Sequence, residues 1–94
     1  MVLNYTMHMM YSKNWKAKKG LIRVTLDLDG NRIKDIHISG DFFMFPEDSI
    51  NRLEDMLRGS SIEKINDIIR DFYNQGVITP GVEPEDFIQA LRVI

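Results

Sequence analysis

A chain of 94 residues with a net charge of −2 and no cysteine has room for one modest core, burying about 65% of its unfolded surface, and has no access to disulfide, thiolate-zinc, iron-sulfur or thiol-catalytic chemistry. Its content of 44% hydrophobic and 28% charged residues is that of a folded globular domain. No apolar run approaches the roughly 18 residues of a membrane-spanning helix and no basic-then-apolar leader opens the chain, so the expected setting is the cytoplasm, with no membrane contact.

Residues 3–11 alternate, with Leu3, Tyr5, Met7, Met9 and Tyr11 on one side and Asn4, Thr6, His8 and Met10 on the other. That period of two predicts a half-buried strand. Residues 12–20 are rich in lysine, hold Trp15 and are expected to be a loop. Lys13, Lys16, Lys18 and Lys19 contribute +4 with no acid among them; subtracting +4 from −2 leaves −6 for the rest. A patch of this kind either steers an anionic partner or is simply solvated. From Leu21 to Leu28 the alternation returns, placing Ile22, Val24, Leu26 and Leu28 on one face. Asp29-Gly30 is a pair favoured in tight hairpin turns. The run Arg32 to Ser39 then pairs back antiparallel; Ile33 is out of phase with Ile36 and Ile38, which predicts a bulge near the turn.

After Pro46 the period becomes helical. Ile50, Leu53 and Leu57 share a face, Pro46 suits a first turn, Glu47 and Asp48 complement the helix dipole, and Gly59 marks a stop. Ser60 with Glu63 reads as a capping box for a second helix, with Ile62, Ile65, Ile69 and Phe72 inward and an end near Gly76. Pro80-Gly81 signals a turn, and Pro84 opens a last helix with Phe87, Ile88 and Leu91 inward. Strands followed by helices predict a single two-layer α+β domain over residues 1–94: a three-stranded antiparallel sheet covered by about three helices.

Chemistry is sparse. His8 and His37, both on predicted strands, lack a second ligand at metal-site spacing. No phosphate-binding loop, dinucleotide fingerprint or nucleophile elbow occurs. The carboxylates sit mostly on helix faces beside Arg52, Arg58 and Arg70, where exposed pairing accounts for them. An acidic pI of 5.6 and a single aromatic among the lysines argue against nucleic acid. The sequence therefore offers no catalytic, cofactor-binding or metal-binding residue of its own, and its activity is expected to come through a partner.

The stretch GLIRVTLDLDGNRIKDIHISGDFFMFPEDSINRLEDMLRG resembles the C-terminal accessory domain of lipoate-protein ligases. The resemblance rests on a hairpin ending in Ser39-Gly40-Asp41-Phe42-Phe43, then Pro46, then a helix closed by Leu57-Arg58-Gly59; the tail PGVEPEDFIQAL is similar as well, extending the match over about residues 13–92. It implies a partner, the larger catalytic subunit, which binds ATP, magnesium and lipoate, forms lipoyl-adenylate and passes the lipoyl group to a lysine of a carrier domain. The catalytic lysine and glycine-rich motifs of that larger part match nothing here. Because the chain opens on Met1 and an apparent strand, it looks like the separate small subunit of a split, archaeal-type ligase, or else an excised domain. The layout is also similar, more distantly, to the iron-sulfur scaffold and sulfur-acceptor fold, without that fold's cysteines. An interaction domain unconnected to lipoylation is the competing reading.

The resemblance directs attention to Gly40, Asp41, Phe42 and Phe43, with Lys18 and Lys19, as partner-binding residues. Gly40 is expected to turn the chain at the strand end, Asp41 to accept backbone hydrogen bonds in that turn, and Phe45 to be extended before Pro46. One or two of Phe42, Phe43 and Phe45 should cap the core, leaving the others as apolar surface for a partner.

Overall fold

The computed structural model describes residues 8–92. Three antiparallel strands, β1 (His8–Ala17), β2 (Gly20–Asp29) and β3 (Arg32–Asp41), lie in that order and are followed by helices α1 (Ser49–Leu57), α2 (Ile65–Asn74) and α3 (Pro84–Ala90). The α+β architecture expected from the sequence is present. The helices cover one face of the sheet, where Ile22, Val24, Leu26, Leu28, Ile33, Ile36 and Ile38 meet Leu53, Leu57, Ile69, Phe72, Phe87 and Leu91 in a continuous buried core. Each fully buried Leu or Ile side chain contributes about 1.5–3 kcal/mol.

The first strand departs from the sequence reading. The part of the expected strand at residues 3–7 lies outside the described residues, and the supposed lysine loop is strand up to Ala17, which pairs with Gly20. The alternation never stopped: Tyr11, Lys13, Trp15 and Ala17 face the helices while Ser12, Asn14 and Lys16 face solvent. Lys13 is tolerated inward because its stem lies along apolar surface and its ammonium reaches the end of α3, donating to the carbonyls of Gln89 at 2.7 Å and Arg92 at 3.2 Å. It also lies 5.6 Å from the Trp15 ring centre. Trp15 in turn donates from Nε1 to Asp86 Oδ1 at 2.9 Å. These two side chains lock β1 to α3.

The β2–β3 turn is centred on Gly30-Asn31, one residue beyond the predicted pair, with Gly30 at φ +63°. The expected bulge is found: Asp27 pairs with Asp35 and Leu28 with Ile33, leaving Lys34 as the extra residue, and this returns Ile33 to the core side. Helix α1 starts at Ser49, after a turn in which Ser49 N–H donates to the Pro46 carbonyl, so Pro46 precedes the helix instead of opening it. The Ser60/Glu63 capping box does not form. Ser60 is committed to the sheet, its carbonyl accepting from Ile33 N–H at 2.8 Å and its hydroxyl donating to Leu57 O at 2.9 Å. A short 3-10 turn, Ile62–Lys64, leads into α2 instead. A reciprocal capping box does form at α3, between Glu83 and Asp86.

The two edges of the sheet differ. Along β3, Ile33 exchanges backbone bonds with Gly59 and Ser60, Ile36 N–H donates to Asp35 Oδ1, and Ile38 N–H donates to Glu54 Oε2 at 2.7 Å. Arg58 adds contacts to Asp35 and Asp55, both at 2.9 Å. That edge is closed by α1 and the segment after it, as natural sheets commonly protect their edges.

Candidate partner-docking site

Three segments that are far apart in sequence meet at one end of the sheet: the β1–β2 turn at Lys18-Lys19, the end of β3 with the residues after it, and the loop at residues 77–82. Gly40 makes the first junction. It does not turn the chain, because β3 continues through Asp41; instead it lies so close to β2 that a Cβ would stand 2.0 Å from the Leu21 carbonyl oxygen. Gly20 is similar, its missing Cβ falling 2.6 Å from the Asp41 carbonyl and 3.0 Å from Phe42 Cβ. The two glycines let the hairpin tip and the β3 terminus pack backbone to backbone. Asp41 is exposed at the strand end, and among the described residues its carboxylate accepts no hydrogen bond, contrary to the turn role expected for it.

The third segment docks through main-chain bonds. Lys19 N–H donates to the Gly81 carbonyl at 3.0 Å, and Gly81 leaves room for the Lys19 stem, which a Cβ there would meet at 2.3 Å. Lys19 is therefore anchored by its backbone while its side chain, like that of Lys18, remains exposed. Phe45 and Ile78 exchange a pair of backbone hydrogen bonds of 2.9 and 3.0 Å. A hydroxyl relay stiffens the loop: Thr79 Oγ1 donates to the Val82 carbonyl at 2.7 Å, so the Tyr73 hydroxyl donates to Thr79 at 2.8 Å. Burial pushes the Tyr73 phenol above its ordinary value, against a smaller lowering by the Thr79 bond; Asp86 and Glu83 push it further up.

The segment after β3 keeps the alternation of the strand. Phe42 is half-buried and meets Phe87 edge to face at 5.6 Å, and Met44 is buried. Phe43 and Phe45 point outward at 72% and 47% exposure, beside Ile78 at 60%. Phe42, Phe43, Met44, Phe45, Glu47 and Ile50 line an open concavity of about 300 Å³. So one phenylalanine caps the core and two form a surface cluster, within the range the sequence allowed. Large apolar side chains held outward on fixed backbone, beside two lysines, form a surface suited to burial against another protein.

All six residues singled out from the sequence, Lys18, Lys19, Gly40, Asp41, Phe42 and Phe43, fall in this region. Phe42 packs inward and Gly40, itself exposed, shapes the region by its close approach to β2, whereas Phe43, Lys18, Lys19 and Asp41 are on its surface. Sequence reading allowed Phe45 a surface role but missed Ile78, its backbone partner. Continuing the period of two past Asp41 would have sorted Phe42 and Met44 from Phe43 and Phe45; Ile78 carries no comparable signal. His37 lies on the sheet face away from the helices, opposite Thr25. Among the described residues no grouping of three or more His, Asp or Glu is placed to hold a metal ion, and no helix is long and apolar enough to cross a membrane. A family model described as bacterial lipoate protein ligase C-terminus matches residues 6–91, and the chain belongs to that family.

Proposed function

We propose that this member of the lipoate protein ligase C-terminal family is the accessory subunit of a cytoplasmic ligase, acting with a larger catalytic chain in the ATP-dependent activation of lipoate to lipoyl-adenylate. The observation that carries the reading is the family match over residues 6–91, and the exposed Phe43-Phe45-Ile78 cluster supports it by offering that chain a docking surface. In this reading ATP, magnesium and lipoate are held by the catalytic chain, as the family resemblance implies. The carrier-domain lysine that finally receives the lipoyl group is a substrate of the complex.

The part played by this chain's own residues is positional. Gly20 and Gly40 bring the β1–β2 turn against the end of β3, so Lys18 and Lys19 project beside the apolar cluster. Apolar burial supplies affinity, and the two ammonium groups favour an anionic surface or substrate group on the facing chain. The competing reading, a free-standing interaction domain, shares the docking surface but not the partner. Calorimetric titration into the catalytic ligase chain separates them: saturable one-to-one binding is expected, weakened about 30-fold or more by Phe43→Ala, as for a buried aromatic anchor. Absence of binding by the wild-type chain would contradict the accessory reading.

A further inference from the structure

Among the described residues no strand or helix pairs with the second edge of the sheet, the outer side of β1. On β3 the N–H groups of Ile36 and Ile38 point away from β2, to Asp35 and Glu54, so His37 and Ser39 make the ladder bonds to Thr25 and Arg23. Antiparallel strands alternate in this respect. Ile22, Val24 and Leu26 therefore bond across to Trp15, Lys13 and Tyr11, and the main-chain groups of Met10, Ser12, Asn14 and Lys16 point outward. Among the described residues none of those outward groups meets a hydrogen-bonding partner. The pairing of β1 with β2 is continuous from His8 to Ala17, with no bulge and no proline to interrupt the edge. Its inward charge, Lys13, is turned onto the α3 carbonyls and does not guard the edge. This contrasts with the closed edge of β3.

From this we infer that the outer edge of β1 is completed by an extended, carboxylate-bearing strand of the catalytic ligase chain, an inference that rests on the accessory-subunit reading. Strand addition of this kind draws affinity from main-chain bonds and selectivity from pockets for alternate side chains. Such a pocket is in place: directly beneath the edge, between β1 and α3, lies an open concavity of about 230 Å³ lined by Tyr11, Ser12, Lys13, Ala90 and Arg92 among others. Charge selects the occupant. Residues 8–17 carry Lys13 and Lys16 and no carboxylate, and the strand runs directly into Lys18 and Lys19. A second copy would bring the same cationic, acid-free strand alongside, whereas an acidic strand complements it. The edge ends at the turn that borders the Phe43-Phe45-Ile78 cluster, so one partner can cover both.

Amide hydrogen exchange read by NMR tests this directly. In the free chain the amides of Ser12, Asn14 and Lys16 exchange freely while those of Lys13 and Trp15 are protected. On saturation with the catalytic chain the three outward amides are expected to slow at least tenfold and the ladder amides to change little. Free-chain rates at the outward amides in a formed complex would overturn the strand proposal and leave the accessory reading standing; failure of the wild-type chain to bind would overturn both. Protection appearing in the chain alone as its concentration rises would identify a second copy as the occupant and also overturn the proposal. Asn14→Pro removes an outward N–H and spares the β2 ladder, so it should fold and bind about tenfold more weakly. Should that variant not fold, Lys16→Glu, which leaves the backbone intact, should weaken binding about tenfold; wild-type affinity in Lys16→Glu would contradict the acidic occupant.

Discussion

Truncating the phenylalanines of the segment after β3 one at a time separates core from surface. Phe42 packs edge to face on Phe87, itself fully buried, with ring centres 5.6 Å apart. A fully buried Phe→Ala change costs about 3–5 kcal/mol. Phe42 is half-buried, so the expected loss is about 2–3 kcal/mol, including about 1 kcal/mol for the aromatic pair. In a domain of this size that lowers the melting temperature by about 8–24 °C. Phe43, at 72% exposure, should cost under about 0.5 kcal/mol on truncation, which is at most a few degrees. The order should invert for association, where Phe43→Ala is expected to lose about 2 kcal/mol or more. Differential scanning calorimetry of the isolated variants, beside titration with the catalytic chain, measures both quantities. Equal melting temperatures for Phe42→Ala and Phe43→Ala would refute the assignment of one ring to the core and the other to the interface.

Gly40→Ala, whose Cβ would fall 2.0 Å from Leu21 O, should lower the melting temperature by more than about 10 °C, as overpacking against backbone does; Gly30→Asn, at φ +63° with open space around it, should melt close to wild type. Trp15→Phe removes the 2.9 Å bond to Asp86 and should reduce stability by about 1–2 kcal/mol in urea unfolding. The raised phenol of Tyr73 makes stability pH-dependent in one direction. Because its folded value lies above its unfolded one, the contribution is fully present below about pH 10 and is lost as pH rises through the folded value. Melting temperature should therefore fall in that alkaline range for wild type and fall less steeply for Tyr73→Phe.

Much of the fold was legible because its burial pattern is regular. The alternation from Leu21 to Leu28 and the helical spacing of Ile65, Ile69 and Phe72 each mark a face that is buried as predicted. The bulge was legible for the same reason, since Ile33 could reach the core only if one residue of β3 were skipped. The errors fell where a tertiary contact outweighed local chemistry. Lys13 and Lys16 read as loop residues by charge, yet β1 runs through them, because Lys13 finds acceptors at the α3 terminus that no local pattern shows. Ser60 fits the capping-box spacing but is spent on the β3 edge. Gly40 was read as a turn former, whereas its role is proximity to the Leu21 carbonyl, a contact between positions 19 apart in the chain. The candidate docking region was singled out through its phenylalanines, and which rings face outward followed only from the continued strand.

The central claim is that the chain enables a catalytic ligase chain to activate lipoate, and the most direct measurement is lipoyl-adenylate formation from ATP, magnesium and lipoate as this chain is titrated into the catalytic one. The chain alone should form none. Added to the catalytic chain, it should raise adenylate formation strongly and saturate at one equivalent. A catalytic chain equally active with and without it, or adenylate formed by the 94-residue chain on its own, would contradict the account.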